Sequence, residues 1–318
     1  MKTIAYLGSC LVGWLAFTAT AGSGLSSAAE HSISIVDAGF GVPYPTAINN
    51  RGEMAGQGSD LRATLLDSTG EVITLGVYGD VYAMTDSGLL AVSVWVNEDV
   101  AHCALWSRQR GLTVLTEGLG TPISCLAWGI NSRGEVVGAV GDSPASNGAY
   151  FWDAEGRAVR LPDLAGAYRT DAYDINEHGE VVGVAYLSSP TSTARAFRWT
   201  ESSGLSLLPL PAGATGSSAT AINNRGDIAG SVFGSQSMLT LWRANGEIVT
   251  IQHHGSVRDM NQRGWIVGRV ENSAFLWIPE VGIVDLSVGV QSVVGSINDR
   301  GVVVGFAEGH DGIVWTIK

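Results

Sequence analysis

The sequence predicts an all-β protein built from seven copies of one structural unit. The hexapeptide AINNRG at residues 47–52 recurs unchanged at residues 221–226, and five further segments resemble it. The seven segments are residues 47–52, 83–88, 129–134, 174–179, 221–226, 259–264 and 296–301. Their closing glycines follow one another at intervals of 36 to 47 residues. This interval is typical of a four-stranded propeller blade.

Each unit then shows the same succession of strand signals. A β-branched run such as Glu-Val-Val-Gly at residues 135–138 follows the glycine, and an apolar run comes next. That run ends in Trp106, Trp152, Trp199, Trp242, Trp277 or Trp315, and Leu66 takes this place in the first unit. A hairpin glycine and a fourth run, such as residues 71–75, complete the unit. Short β-rich runs between turn signals predict strands A to D of a blade.

The two ends of the chain predict how the fold closes. The seventh unit stops at Lys318 after three strand signals, and the unpaired run at residues 31–37 resembles the fourth strand of the sixth unit. We therefore expect the N-terminal strand to complete the last blade and to leave no open seam. The predicted domain, residues 30–318, is a single seven-bladed β-propeller of four-stranded blades.

AINNRG itself predicts the turn between strands A and B of a blade. An asparagine at the first turn position caps the turn through its side chain, and a glycine three residues later accepts a positive φ. We interpret the motif as a hairpin device, not as a catalytic signature.

The first 29 residues predict a secretory signal peptide. Lys2 precedes a largely apolar run at residues 4–17, and small residues at 19–21 and 27–29 offer two cleavage sites. This layout predicts cleavage near Ala21 or Ala29 and a secreted or periplasmic protein. The apolar run is short for a membrane span.

Composition excludes several functional classes. The formal net charge of −12 argues against nucleic acid or an anionic membrane as a partner. Lys318 is the only lysine after the predicted cleavage, which argues against a Schiff-base or P-loop lysine. Serine-elbow, His-Glu-x-x-His and Cys-x-x-Cys motifs are absent from the sequence. Cys103 and Cys125 could pair in an oxidising compartment or be buried as separate small residues.

The unit at residues 194–232 resembles the bacterial extracellular repeat family called HAF. HAF repeats carry an Ala-Phe-x-Trp strand, a Gly-Leu strand and an Ile-Asn-x-x-Gly-x-Val-Gly hairpin, and the resemblance extends over the predicted mature chain. It implies export and a propeller-like fold. It implies no settled activity, so it assigns no catalytic residue here.

Propeller geometry predicts where a site would lie. The A–B hairpins share one face, and the longer B–C loops and D–A links share the other, so we expect the site on this second face and at the channel mouth, towards blades 2–5. The turn face instead carries a basic ring, which we interpret as structural pairing with neighbours such as Glu53, Glu135, Glu180 and Asp227. Its members are Arg51, Arg133, His178, Arg225, Arg263 and Arg300.

Departures from the repeat pattern on strand A supply the candidate residues. Units four and six place Asp174 and Asp259 where the others have Ala, Gly or Ser. The preceding position is occupied by Thr46, Tyr82, Trp128, Tyr173, Thr220, Arg258 and Gly295. The candidate binding residues are Tyr82, Trp128, Tyr173, Asp174, His253, His254, Arg258 and Asp259. Inter-blade ion pairs or solvated channel residues are the structural alternative.

The sequence leaves two functions open. The first is a monomeric binding module that presents its loop face and channel mouth to a glycan, a small ligand or a protein. The alternative is a polysaccharide lyase or glycosidase. Proton transfer and carboxylate recognition would then come from Tyr82, Tyr173, His253 or His254, Arg258, Asp174 and Asp259. No cofactor is predicted. Calcium at Glu98, Asp99 and His102, or at Glu308, His310 and Asp311, stays open, since neither spacing matches a known calcium loop.

Overall fold

The computed structural model describes residues 33–37, 42, 44–97, 100–115, 119, 124–141, 148–187, 193–251, 254–271, 273–287, 291–307 and 310–317. Every regular element in these ranges is a β-strand. The strands are β1 (Ile33–Asp37), β2 (Tyr44–Ile48), β3 (Met54–Gln57), β4 (Arg62–Leu66), β5 (Val72–Met84), β6 (Leu90–Trp95), β7 (Ala101–Ser107), β8 (Gly111–Val114), β9 (Ser124–Ile130), β10 (Val136–Gly141), β11 (Gly148–Trp152), β12 (Ala158–Arg160), β13 (Ala167–Ile175), β14 (Val181–Leu187), β15 (Thr193–Thr200), β16 (Gly204–Leu207), β17 (Ala214–Ile222), β18 (Ile228–Gly234), β19 (Met238–Trp242), β20 (Ile248–Ile251), β21 (Gly255–Met260), β22 (Ile266–Val270), β23 (Ser273–Ile278), β24 (Gly282–Asp285), β25 (Ser292–Ile297), β26 (Val302–Ala307) and β27 (His310–Ile317). The predicted signal peptide lies outside the described residues. No helix in the described ranges is long and apolar enough to cross a bilayer.

The strands pair in chain order as antiparallel meanders. Four sheets consist of β9–β12, β13–β16, β17–β20 and β21–β24. A larger sheet runs from β2 to β8, because β5 pairs with β4 through its first half and with β6 through its second. The sequence predicts two separate strands here. They merge into one because the first two repeats have the shortest glycine spacing, 36 residues, and leave no residues for a loop.

The two chain ends meet in the remaining sheet. Strand β1 pairs antiparallel with β27, with Ile33 opposite Ile317, and the sheet order is β1-β27-β26-β25. This is the pairing that the unpaired N-terminal run predicts. The seventh unit also contacts the first, since Asn298 Nδ2 donates to the carbonyl of Asn49 at 3.0 Å.

The hydrophobic core lies between neighbouring sheets. Trp277 and Phe275 of β23, for example, pack in one buried cluster with Leu239 and Leu241 of β19, which belongs to the preceding sheet. The six tryptophans that end the third strand of a unit are all buried, and Leu66 is buried in the corresponding place. Each unit therefore buries its apolar faces only against its neighbours, as repeat architectures do.

A disulfide joins the second and third units. Cys103 of β7 and Cys125 of β9 are bonded, with their Cα atoms 5.2 Å apart, and both residues are fully buried. The bond settles the question that the sequence leaves open. The two cysteines are 22 residues apart in the chain, so the disulfide is a covalent link between two neighbouring sheets.

Candidate functional site

The first asparagine of the hexapeptide closes its own turn and reaches the next unit. Asn49 Oδ1 accepts hydrogen bonds from the backbone N–H groups of Arg51 and Glu53, both at 3.0 Å. Asn49 Nδ2 donates to the carbonyl of Thr85 in the following unit at 3.2 Å. Gly52 has φ 83°, as the turn requires. Asn131, Asn176, Asn261 and Asn298 donate in the same way to the following unit.

The second residue of each turn forms another inter-unit bond. The backbone N–H of Asn50 donates to Asp86 Oδ1 at 2.7 Å, and that of Asp299 donates to Asn50 Oδ1 at 2.8 Å. Equivalent bonds run from Ser132 to Glu177, from Glu177 to Asn224, from Asn224 to Gln262 and from Gln262 to Asp299. Both asparagines of AINNRG therefore form hydrogen bonds that join neighbouring units.

Several of the turn arginines form ion pairs with, or stack on, neighbouring side chains. Arg51 Nη2 lies 2.5 Å from Glu53 Oε2, and Arg225 Nη2 lies 2.8 Å from Asp227 Oδ2. Arg133 pairs with Glu135. Arg263 stacks over the ring of Trp265, with its guanidinium carbon 5.1 Å from the ring centroid. For these four residues the structural interpretation of the basic ring is confirmed.

A β-bulge in the first strand of every unit marks the candidate site. In β2, β5, β9, β13, β17, β21 and β25, the register skips one residue opposite the second strand. The skipped residues are Thr46, Tyr82, Trp128, Tyr173, Thr220, Arg258 and Gly295. All seven line one cavity of about 590 Å³. A bulge re-aims a side chain in this way and is enriched beside functional sites.

Six of the seven bulges lie opposite a glycine in the facing strand. A Cβ at Gly183 of β14 would lie 2.0 Å from the carbonyl oxygen of Asp171. The equivalent glycines, Gly56, Gly138, Gly230, Gly268 and Gly305, have the same close approach. Glycine therefore allows a close approach of the two backbones at six of the bulges, whereas the second unit forms its bulge with Val92 in this place.

Three consecutive units contribute an aromatic arc to this cavity, which we define as Tyr82, Trp128 and Tyr173. The ring centroids of Trp128 and Tyr173 are 4.9 Å apart, and their planes are tilted by 55°. All three residues are half-buried and line the cavity.

Each tyrosine of the arc is preceded two residues earlier by an aspartate. Asp171 is fully buried and accepts hydrogen bonds from Arg169 and, at 3.4 Å, from the hydroxyl of Tyr173. Asp80 accepts a hydrogen bond from Trp95 Nε1 at 2.7 Å. The sequence did not single out Asp80 and Asp171 as partners of the tyrosines, although it contains the pattern Asp-x-Tyr at 80–82 and 171–173.

The tyrosines of the arc remain uncharged at neutral pH. Burial, followed by the charge of Asp80, raises the pKa of Tyr82 to about 12, and the positive charge of Arg258 partly offsets this. Burial also raises the pKa of Tyr173, together with its hydrogen bond to Tyr186 and the charge of Asp171. Both hydroxyls are therefore hydrogen-bond donors.

Asp174 and Asp259 line the cavity as well, and both connect units. Asp174 accepts the backbone N–H of Ile175 and that of Ile222 in the next unit, each at 2.8 Å. Asp259 Oδ2 accepts from Ser296 Oγ at 2.6 Å and from Ile297 N at 2.9 Å. Burial and, to a smaller extent, the charge of Asp259 raise the pKa of Asp174 to about 7, although its two amide donors oppose the shift.

Arg258 supplies the only guanidinium of the cavity lining within the described residues. Its side chain is exposed, and its Nε donates to the carbonyl of Gly295 at 3.3 Å. Its charge lowers the pKa of Tyr82, which places it near the aromatic arc. Among the described residues no carboxylate lies within ion-pair distance of Arg258.

Six of the eight residues predicted from the sequence therefore meet in one cavity. His254 is exposed and is not part of the lining. His253 lies outside the described residues. The cavity also reaches Asn50, Asp86 and the other turn residues, so it extends along the channel to the hairpin end instead of being confined to the loop face.

The described residues contain no group of three His, Cys, Asp or Glu side chains that could hold a metal ion. Of the two loops considered for calcium, Glu98, Asp99 and Glu308 lie outside the described residues. Calcium binding by either loop is therefore as open as it is from the sequence alone.

Solved structures share this fold at low sequence identity. YCF48 bound to a D1 peptide aligns with a TM-score of 0.51 and 12% identity, over 89% of this chain and 96% of that one. The extracellular domain of a putative hybrid two-component system from B. thetaiotaomicron gives 0.52 and 11%, over 87% of this chain and 38% of that one. A prolyl endopeptidase gives 0.54 and 13%, over 87% of this chain and 47% of that one.

The chain thus spans less than half the length of the last two structures. No family model matches the chain, and no curated protein matches it. Because YCF48 is a β-propeller protein, the comparison and the strand topology together define the class: an all-β protein of the propeller kind. At this level of identity the likeness extends to the fold alone.

Proposed function

We propose that this chain is an exported, seven-bladed propeller of the HAF-repeat type that binds a ligand in its central cavity. Seven repeats and the pairing of β1 with β27 support a closed ring of seven blades. The hydrogen bonds from Asn298 to Asn49 and from Asp299 to Asn50 support it further, because they join the seventh unit to the first. The predicted signal peptide supports export.

The observation that carries the binding proposal is the aromatic arc. A cavity of about 590 Å³ lies in the range of small-ligand sites, which combine aromatic walls with a few polar groups. Here the fold places one bulged residue per unit towards the cavity, and only units two to four use aromatic rings. The other units place Thr46, Thr220, Arg258 and Gly295 there, so the fold does not require the arc.

The enzyme alternative has weaker support. A glycosidase needs a carboxyl group that is free to transfer a proton to the substrate. Both oxygens of Asp174 and both oxygens of Asp259 instead accept hydrogen bonds from backbone N–H groups or a serine hydroxyl. We therefore interpret these aspartates first as links between units.

A binding screen on the purified mature protein tests the proposal. Neutral glycans, acidic glycans, small metabolites and short peptides would be compared on wild type and Trp128→Ala. Peptides belong in the panel because YCF48, a protein of similar fold, is described with a peptide bound.

The matched control is Tyr78→Ala, which removes an exposed aromatic ring outside the cavity lining. We expect at least one ligand to bind wild type and Tyr78→Ala, and to lose tenfold or more in affinity in Trp128→Ala. Binding that Trp128→Ala leaves unchanged would place the site elsewhere and overturn the proposal.

A further inference from the structure

The charged side chains around the cavity indicate which class of ligand it would bind. Five carboxylates line it, against a single guanidinium, that of Arg258. The carboxylates are Asp86, Asp174, Glu177, Asp259 and Asp299. A concave site with low-dielectric walls and charges of one sign concentrates counter-ions, here cations.

The aromatic arc adds a second, independent preference for cations. The faces of Tyr and Trp rings carry negative potential and attract ammonium groups, above all alkylated ones, that lie within about 6 Å of a ring centroid. Behind Tyr173 the buried carboxylate of Asp171 accepts a hydrogen bond from the phenol at 3.4 Å, which favours electron density in that ring, although Arg169 pairs with the same carboxylate at 2.6 Å and offsets part of its charge. Asp80 contributes a negative charge near Tyr82.

An inorganic cation fits this site less well. The oxygens of Asp174 and Asp259 are already used by backbone N–H groups and Ser296, and the described residues offer no cluster of three metal-binding side chains. Divalent cations need several free oxygen ligands at short distance. An alkylated ammonium group needs only ring faces and nearby negative charge.

We propose that the cavity binds a small organic cation whose alkylated ammonium head lies against Tyr82, Trp128 and Tyr173. This inference rests on the proposed binding function. Asp259 neutralises its charge at longer range, and Asp174 does so in its ionised form. Arg258 repels the head group and therefore limits where in the channel it can lie.

The test compares two probes that differ only in charge. Choline and its neutral isostere 3,3-dimethylbutan-1-ol would each be titrated into the mature protein by isothermal calorimetry. We expect choline to bind at least tenfold more tightly than the isostere, because only choline gains the interaction between its charge and the rings. Equal affinity for choline and the isostere would overturn the proposal, and so would the absence of detectable binding both of choline and of a peptide that carries trimethyllysine.

Three variants locate the bound head group. Trp128→Leu keeps an apolar side chain but removes the ring, and should weaken choline binding tenfold or more, whereas Tyr78→Leu on the outer surface should not. Arg258→Gln should strengthen choline binding several-fold, because it removes a like charge from the lining. If Arg258→Gln weakens choline binding, the head group does not lie where we propose.

The same head group can belong to a free molecule or to a trimethylated lysine side chain. A tetrapeptide with trimethyllysine, compared with the same peptide carrying norleucine, distinguishes the two sources. Selective binding of either cationic probe supports the inference. If a neutral or acidic ligand binds in a Trp128-dependent manner and both cationic probes fail, the cation inference is wrong while the proposed binding function stands.

Discussion

The first asparagine of the repeated turn should be the most sensitive polar residue of the scaffold, and Asn176 tests this. It is 3% exposed, and its Oδ1 accepts from the N–H groups of His178 and Glu180 at 2.9 and 3.1 Å. Its Nδ2 donates to the carbonyl of Asn223 in the next unit at 3.1 Å. Asn176→Ala therefore leaves two backbone donors and one backbone acceptor without these partners.

The magnitude follows from this count. A typical hydrogen bond contributes about 1 kcal/mol net, and a buried group that loses its partner costs about 1–3 kcal/mol. Asn176→Ala loses these three bonds and a fourth, from Nδ2 to Glu180 Oε2 at 2.8 Å, which predicts a destabilisation of about 3 kcal/mol or more. Thr85, the natural occupant in unit two, accepts the N–H of Leu89 at 3.1 Å through its hydroxyl. Asn176→Thr should therefore be less damaging than Asn176→Ala.

Asn176→Asp tests the contribution of the Nδ2 donor separately from that of the Oδ1 acceptor. The aspartate keeps both bonds of Oδ1, but its second oxygen faces the carbonyl of Asn223 and Glu180 Oε2, which accepts from Asn176 Nδ2 at 2.8 Å. Replacement of a donor by a charged acceptor should destabilise at least as much as alanine does. The donor to the next unit is therefore predicted to be essential.

Thermal unfolding measured by circular dichroism ranks the stabilities of these variants. At about 2–4 °C per kcal/mol for a domain of this size, Asn176→Ala should lower the midpoint by about 6 °C or more. Asn245→Ala is the matched control, because Asn245 is exposed and its side chain accepts only one exposed bond, from Glu247 N. Equal midpoints for the two alanine variants would refute the reasoning.

Three further predictions concern the scaffold and the cavity. Replacing Cys103 and Cys125 by serine should cost about 3 kcal/mol, given the 22-residue separation, and mass spectrometry of the unreduced protein should show the intact bond. Because the pKa of Asp174 rises from 3.8 to about 7 on folding, the folded state holds its proton more tightly, so stability should fall as pH rises between these values. Asp174→Asn should flatten that slope in urea titrations at pH 4 to 8, and an unchanged slope would assign it to other groups. Gly230→Ala should destabilise by about 2 kcal/mol, because its Cβ would lie 2.0 Å from Ser218 O, whereas a stabilised variant would show that the bulge can relax.

The sequence alone determined the repeated elements. Turn chemistry and apolar patterning are local properties, so AINNRG marks a hairpin and Trp199 or Trp242 marks a buried third strand without knowledge of any neighbour. The pairing of residues 33–37 with the last strand was predictable as well, since a missing fourth strand needs a partner. The same local signals singled out Asp174 and Arg258, because each departs from its repeat equivalents.

Only the tertiary structure decided what the repeated residues do for one another. The second asparagine of AINNRG bonds to a different unit, and Cys103 finds Cys125 in the next sheet, so neither partner follows from the local pattern. The bulges are equally invisible in the sequence, because a register shift exists only between two paired strands. They turn Tyr82, Trp128 and Tyr173 towards one cavity. Which side chains share that cavity depends on how the units pack together, and this packing joins residues far apart in the chain.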